Sequence, residues 1–175
     1  KSHLCDNTVN MDTSLDFLAS FTKKHLGTVS DNDTQTLTKW IHNQVDENAK
    51  LLLQMDIEGA ELPVILSTDN YILSKFKIII LEVHFLEQMK TPSGFLLYKL
   101  FFEKLCNEHV PVHLHCNNNG GTFLCGGEAM PRVIELTLLR DDLKQKFEDY
   151  AILPHKLDSL NRPNGAPIPV PSIWL

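Results

Sequence analysis

Eight polar residues close or follow three apolar runs of this sequence, at positions 51–55, 77–83 and 110–115. Carboxylates and imidazoles are the side chains that most often take up a proton or attract a cation, and amides hold ligands by hydrogen bonds. The residue types therefore suit general acid–base chemistry on a polar substrate. The eight residues are Asp56, Glu58, Glu82, His84, His113, His115, Asn117 and Asn118.

The apolar runs have the length of buried strands, and helical patterns lie between them. Leu37, Trp40 and Ile41 recur at helical spacing, and residues 95–105 form a second such pattern. Alternation of strand and helix predicts an α/β fold with a doubly wound, mostly parallel sheet and right-handed crossovers. Residues 133–139 alternate as a last strand, reached through a loop without a helix. We expect this strand to form an antiparallel hairpin with residues 110–115 at one edge.

Ligands in open α/β sheets bind beyond the carboxyl ends of the strands, so we expect the eight side chains to form one rim. Taken singly, each has a structural explanation. Asp56 or Glu58 could cap the next helix, and a lone histidine at a strand end is usually structural. Capping does not explain His84 or His115, which favours a functional site.

Metal and nucleophile chemistry have weaker support in the sequence. Asp, Glu and three His could ligate zinc, but His113 and His115 lie two residues apart without a tight Cys/His pair, so we predict no metal site. The sequence contains no G-x-S-x-G nucleophile motif and no G-x-G phosphate loop. A metal-dependent hydrolase therefore ranks third among the functions considered.

Composition excludes several classes of protein. The 175 residues carry 16 Lys+Arg against 22 Asp+Glu, a net charge of −6, and 43% hydrophobic residues, which fits one globular domain rather than a disordered chain or a general nucleic-acid binder. No apolar run approaches the ~18 residues of a membrane span. The four cysteines include no C-x-x-C pair, which favours free thiols and a reducing compartment such as the cytoplasm.

The C-terminal part of the sequence is rich in proline. Five of the nine prolines lie between Pro154 and Pro171, and proline fixes φ and removes backbone donors. We predict one domain over residues 1–153 and an extended tail over 154–175. The apolar residues Ile173 and Trp174 predict that this tail docks on the domain.

Four segments together resemble the FkbM-type S-adenosylmethionine-dependent methyltransferases. Residues 53–61, L-Q-M-D-I-E-G-A-E, are similar to that family's K-x-D-[IV]-E-G-x-E motif, and residues 80–84, I-L-E-V-H, to its next strand. Residues 113–121, H-L-H-C-N-N-N-G-G, and 130–137, M-P-R-V-I-E-L-T, resemble segments of one eukaryotic and viral branch. The resemblance covers nearly the whole chain.

The resemblance implies a Rossmann-like domain that moves a methyl group from S-adenosylmethionine to a hydroxyl of a sugar or small molecule. It implies Glu82 or His84 as the base and Asp56 near the sulfonium. Asp6, Gly27, Asp56 and Glu58 are then the cofactor-binding residues. The acceptor is held by His113, His115, Asn117 and Asn118.

Family members open with a first strand and a glycine-rich loop, whereas this sequence begins at what the resemblance identifies as the second strand. We therefore expect these 175 residues to bind the cofactor weakly or not at all, and their exposed sheet edges to favour self-association. The alternative function is a catalytically inactive binding module with the same fold.

Overall fold

The structure is a computed structural model, and it describes residues 2–10, 19–143 and 153–174. It is a mixed α/β fold. The strands are β1 (Ser2–Cys5), β2 (Ala19–Thr22), β3 (His25–Leu26), β4 (Thr34–Gln35), β5 (Leu51–Met55), β6 (Phe76–Val83), β7 (His109–Cys116), β8 (Thr122–Cys125), β9 (Glu128–Pro131) and β10 (Ile134–Arg140). The helices are α1 (Leu37–Gln44), α2 (Glu61–Ser67), α3 (Asn70–Leu73) and α4 (Pro92–Leu105), with short 3₁₀ helices at Leu86–Lys90, Asp141–Leu143 and Ser172–Trp174.

The main sheet has the strand order β5–β6–β10–β7. β5 and β6 pair in parallel, whereas β10 is antiparallel to both β6 and β7. Three of the four strands run in one direction, but only one of the three pairings is parallel. The prediction of a mostly parallel sheet is therefore wrong, because the sheet is mixed, whereas the predicted antiparallel pair at one edge is present as β10 and β7.

The position of β10 explains this difference. Its antiparallel pairing with β7 follows, as predicted, from a connection that contains no crossover helix. Its alternating residues Ile134, Leu136 and Leu138 are all buried. Alternation of this kind identifies a strand, but it does not tell whether the strand lies inside the sheet or at its edge.

The two helices predicted from apolar spacing are present. Thr36 caps α1, its hydroxyl oxygen accepting the N–H of Lys39 at 3.2 Å. Thr91 caps α4 in the same way through Gly94, and Pro92 begins the helix where its absent N–H costs nothing. α4 packs against α2, so the helices cover the sheet that carries the polar strand ends.

Three further pairs of strands lie outside the main sheet, and one of them, β8 with β9, is antiparallel. β1 pairs with β2 and β3 with β4, both in parallel. Within the described residues, β1 and β2 have no ladder to β5, and a cleft of about 770 Å³ lies between β1 and β5. Among these residues, no helix has the length and apolar character needed to cross a membrane.

The C-terminal segment does not contact the rest of the protein through the expected apolar pair. Ile173 is 69% exposed and Trp174 36% exposed, so the prediction that they anchor the tail is wrong. The contacts include the buried Pro171 and several hydrogen bonds, among them one from the Ser172 hydroxyl to Glu128 at 2.5 Å. The domain boundary predicted after residue 153 adjoins residues outside the described ranges, and it stays a prediction.

Candidate functional site

The loop between β5 and α2 is folded by a buried acid, Glu61, whose side chain is 2% exposed. Its Oε1 accepts the N–H of Ile57 at 2.7 Å and its Oε2 accepts the N–H of Gly59 at 3.0 Å. Ala60, the N-cap residue that precedes α2, makes no side-chain cap, so neither Asp56 nor Glu58 has the capping role considered above. Glu61 thereby holds the loop that carries Asp56 and Glu58.

This loop adopts backbone conformations that restrict its sequence. Gly59 has φ +103°, and a Cβ there would collide with the ring of Phe85. Glu58 and Phe85 have φ of 55° and 60° although neither is glycine, a conformation that is uncommon for such residues and clusters at functional sites. Gly59, which follows β5, and Phe85, which follows β6, are therefore in close contact.

Four carboxylates surround His84 at the carboxyl ends of β5 and β6. The Nδ1 of His84 lies 3.3 Å from Glu61 Oε1, and its Nε2 lies 3.5 Å from Glu58 Oε2, 3.8 Å from Glu82 Oε1 and 4.0 Å from Asp56 Oδ1. The parallel pairing of β5 and β6 brings these residues together, as expected for parallel strand ends. We call this group of five residues the His84 cage.

The pKa of the Glu82 carboxyl group is raised. Burial raises the pKa of its carboxyl group, and the charge of Asp56 raises it further, against the Nδ2–H of Asn117, which donates to Oε1 at 2.6 Å. A carboxylate with a raised pKa is a stronger proton acceptor. Glu82 is therefore suited to act as a base.

His113 and His115 belong to a second cluster, not to the His84 cage. Glu135 of β10 is the register partner of both Glu82 and His115, so one strand separates the two clusters. The Nε2 of His113 lies 2.9 Å from Asp158 Oδ1, and the Nδ1 of His115 lies 3.6 Å from Asp158 Oδ2. The single rim expected from the sequence is therefore two clusters, because β10 is inserted between β6 and β7.

The second cluster borders a cavity of about 510 Å³ between β7 and the C-terminal segment. Burial acts to raise the pKa of Asp158, but the N–H of His155 and the rings of His113 and His115 outweigh it, so the pKa is lowered. Asp158 is thus held as a carboxylate beside two histidines. Polar and apolar walls together make this cavity suitable for a small polar molecule.

Asn117 and Asn118 make internal hydrogen bonds. Asn117 donates to Glu82 and accepts the N–H of Asn119 at 2.8 Å. Asn118 donates to the carbonyls of Arg162 and Ala166 at 3.0 and 3.4 Å and accepts the N–H of Arg162 at 2.8 Å. The first amide orients the candidate base, and the second ties the C-terminal segment to the end of β7.

Asp6 and Gly27 follow β1 and β3. Asp6 lines the cleft between β1 and β5 together with Asp56. The hydroxyl and N–H of Thr8 bind its carboxylate and lower its pKa. Gly27 donates its N–H to Gln35 at 2.9 Å, and a Cβ there would collide with Thr34. The structure thus places Asp6 in the cleft and explains Gly27 by close packing of β3 on β4.

Sequence reasoning overlooked two acids of these clusters, Glu61 and Asp158. Glu61 lies within the D-I-E-G-A-E motif, and its signal was an acid in the first turn of a short apolar helix. Asp158 lies more than 40 positions from the histidines it contacts, within the proline-rich segment, where no local pattern marks it. Local patterns do not report such long-range pairs.

The parallel β5–β6 pair with acidic residues at its carboxyl end is consistent with a methyltransferase-type α/β domain. A comparison with family models matches residues 7–119, more than half of the chain, to the methyltransferase FkbM domain. The chain belongs to this family, whose members generally use S-adenosylmethionine. No curated protein and no solved structure matches the chain.

Proposed function

We propose that this protein transfers a methyl group from S-adenosylmethionine to the oxygen of a hydroxyl on a sugar or other small molecule. The observation that carries the proposal is the convergence of Asp56, Glu58, Glu82 and His84 at the ends of β5 and β6. This cluster adjoins the cleft that Asp56 lines. Family membership supplies the class of reaction.

The cleft between β1 and β5 suits the cofactor in size and charge. Its volume of about 770 Å³ falls within the ~300–1,000 Å³ of small-molecule sites. Asp6 and Asp56 both line it, and carboxylates accept hydrogen bonds from ribose hydroxyls and attract a cation. Gly27 and Glu58 complete the proposed cofactor residues, Glu58 through a side chain that is 87% exposed.

S-adenosylmethionine, when bound, supplies a methyl group on a sulfonium sulfur that an attacking oxygen can displace. The protein has to orient the acceptor and remove its proton. We assign the proton to Glu82 or His84, whose side chains are only 20% and 10% exposed. The O–C bond forms, the C–S bond breaks with its electron pair left on sulfur, and the carboxylate or imidazole keeps the proton.

The second cluster supplies the acceptor side of the proposed site. His113 and His115 can donate to or accept from hydroxyls; His115 lines the cavity of about 510 Å³, and His113 contacts Asp158, which also lines it. Asn117 contributes by positioning Glu82, and Asn118 by holding the segment that closes the cavity. Their internal hydrogen bonds make both amides positioning residues in this proposal.

Saturation-transfer difference NMR on the 175-residue chain tests cofactor binding directly, and it detects weak complexes. We expect signal on the adenine protons of added S-adenosylmethionine, reduced in Asp6→Ala and Asp56→Asn but not in the exposed control Asp46→Asn. Asp56 is 48% exposed, so Asp56→Asn should lower the melting temperature by less than about 5 °C, roughly 1–2 kcal/mol in a domain of this size. A larger fall would make Asp56 structural.

A non-catalytic binding module is the second candidate. The observation that favours it is that Thr8, in the same turn, donates two hydrogen bonds to the carboxylate of Asp6. Fewer lone pairs of this carboxylate are then available to accept hydrogen bonds from a ribose. The same NMR experiment separates the two functions. A folded chain that gives no cofactor signal at any concentration supports the binding module and contradicts the methyltransferase proposal.

A further inference from the structure

The His84 cage concentrates negative charge without a basic side chain to balance it. Four carboxylates lie within 4.0 Å of one imidazole. Among the described residues, the lysine and arginine ion pairs join other acids, at Glu103, Glu87 and Asp142. Two of the four, Glu61 and Glu82, are only 2% and 20% exposed, and placing like charges together away from water is costly unless a cation lies among them.

The buried nitrogen of His84 provides a second, independent observation. Its side chain is 10% exposed, and its Nδ1 has no hydrogen-bond partner among the described residues. A buried polar atom without a partner is rare and calls for an explanation such as an ion or a water. This nitrogen lies 3.3 Å from Glu61 Oε1 but makes no hydrogen bond to it.

We propose that the His84 cage binds one divalent metal cation, with Asp56, Glu61 and His84 as its protein ligands. One donor atom of each lies within 4.8 Å of the other two. Ligand atoms at ~2.0–2.2 Å from a common ion are about 3.0–3.4 Å apart in tetrahedral or octahedral geometry, which matches the separation of 3.3 Å between Nδ1 and Oε1.

Glu61 can serve as a ligand while it holds its loop. Each of its oxygens accepts one backbone N–H, and a carboxylate oxygen has a second lone pair. Asp56 is 48% exposed and gives the ion a path from solvent. Glu82, at 3.8 Å from the imidazole, adds a nearby negative charge that favours the cation.

The donor set indicates the kind of ion. Two carboxylates with one imidazole nitrogen suit Mn²⁺ or Zn²⁺, because magnesium and calcium prefer sites made of oxygen alone. Such an ion would activate a bound hydroxyl or water by lowering its pKa. The sequence prediction of no metal site rested on the spacing of His113 and His115, which lie in the other cluster.

Manganese binding by the full chain, with no cofactor or acceptor present, tests this inference separately from methyl transfer. Electron paramagnetic resonance of free Mn²⁺ gives the stoichiometry and affinity. We expect one ion per chain, with His84→Ala and Asp56→Asn each weakening binding at least about 10- to 100-fold, since loss of even a group that only supports a ligand has an effect of that size. His42→Ala, at an exposed histidine on α1, is the matched control and should bind as the parent does.

A folded parent chain that binds no Mn²⁺ and no Zn²⁺ overturns the proposal, as does unchanged affinity in Asp56→Asn. If His84→Ala fails to fold by circular dichroism, Asp56→Asn decides the question. Mn²⁺ should also broaden the imidazole NMR signals of His84 and leave those of His42 sharp. Broadening at His113 and His115 instead would place the ion in the other cluster and contradict the inference.

Discussion

Individual acids hold the two polar clusters of this protein together. Asp158 accepts the N–H of His155 at 2.8 Å and lies 2.9 Å from His113 Nε2. Its lowered pKa, set by these partners against burial, means that the folded state favours the charged form. Asp158 therefore stabilises the fold at pH values above its unfolded pKa, near 3.8, and this contribution is lost as pH falls through the lower folded value.

Asp158→Asn should destabilise the chain at neutral pH and make little difference in acid. Removing the charged acceptor costs about 1–2 kcal/mol, a fall of about 2–8 °C in melting temperature for a chain of this length. Thermal melts of both proteins from pH 7 down to pH 3 measure this. The gap between the two curves should narrow below pH 4.

The exposed Asp46→Asn serves as the control for Asp158→Asn, because no hydrogen bond of its carboxylate is present within the described residues. Its melting temperature should follow the parent at every pH. If the difference in melting temperature between the parent and Asp158→Asn stays constant down to pH 3, the charge of Asp158 does not stabilise the fold. The carboxyl group then contributes only through packing and uncharged hydrogen bonds.

At the level of elements, the β5–α2 loop determines where Asp56 and Glu58 lie. Two backbone N–H groups of this loop depend on Glu61, which is buried at 1% exposure. The following helix has no other side-chain cap. Loss of this one carboxylate should therefore loosen the whole connection between β5 and α2.

Glu61→Ala should cost about 3 kcal/mol or more, since hydrogen bonds to a charged group contribute ~1.5–3 kcal/mol each. The expected fall in melting temperature is about 6–12 °C. Glu58→Ala is the control from the same loop, and its side chain is 87% exposed; it should change stability by less than ~0.5 kcal/mol. Equal effects of the two variants would show that Glu61 does not hold the loop.

Across the whole molecule, the C-terminal segment is joined to the rest of the protein by hydrogen bonds of Asp158, Asn161 and Ser172 and by the buried amide of Asn118. Asn118 makes three hydrogen bonds to Arg162 and Ala166, whereas the apolar end of the chain is exposed at Ile173. The anchor thus lies in the middle of the proline-rich segment. At the other side, β5 has no outer partner within the described part of the chain, and the expected self-association through this edge stays a prediction.

Asn118→Ala should destabilise the protein more than removal of residues 172–175. The substitution removes three hydrogen bonds to the backbone and should cost about 2–3 kcal/mol, or about 4–12 °C. Truncation removes mostly exposed side chains and should cost less than ~1 kcal/mol. Chemical unfolding of both variants measures their free energies of unfolding. A larger loss for the truncated chain than for Asn118→Ala would show that the apolar C-terminal residues anchor the segment.

The sequence by itself determined the elements and the family. Continuous apolar runs predict β5 and β6, spacing of three or four residues predicts α1 and α4, and the D-I-E-G motif indicates the FkbM resemblance, because each is a local property of the chain. Convergence of Asp56, Glu58, Glu82 and His84 followed from one rule about parallel strand ends.

Only the tertiary structure decided where β10 lies, and with it the division of the polar rim into two clusters. Whether a strand enters a sheet or ends it depends on which edges are free after the other strands have paired, and alternation is the same in both cases. The pairing of Asp158 with His113 joins residues 45 positions apart, and the burial of Glu61 depends on α2 packing beside β6. Such contacts depend on the packing of several elements at once, which no local stretch of the sequence encodes.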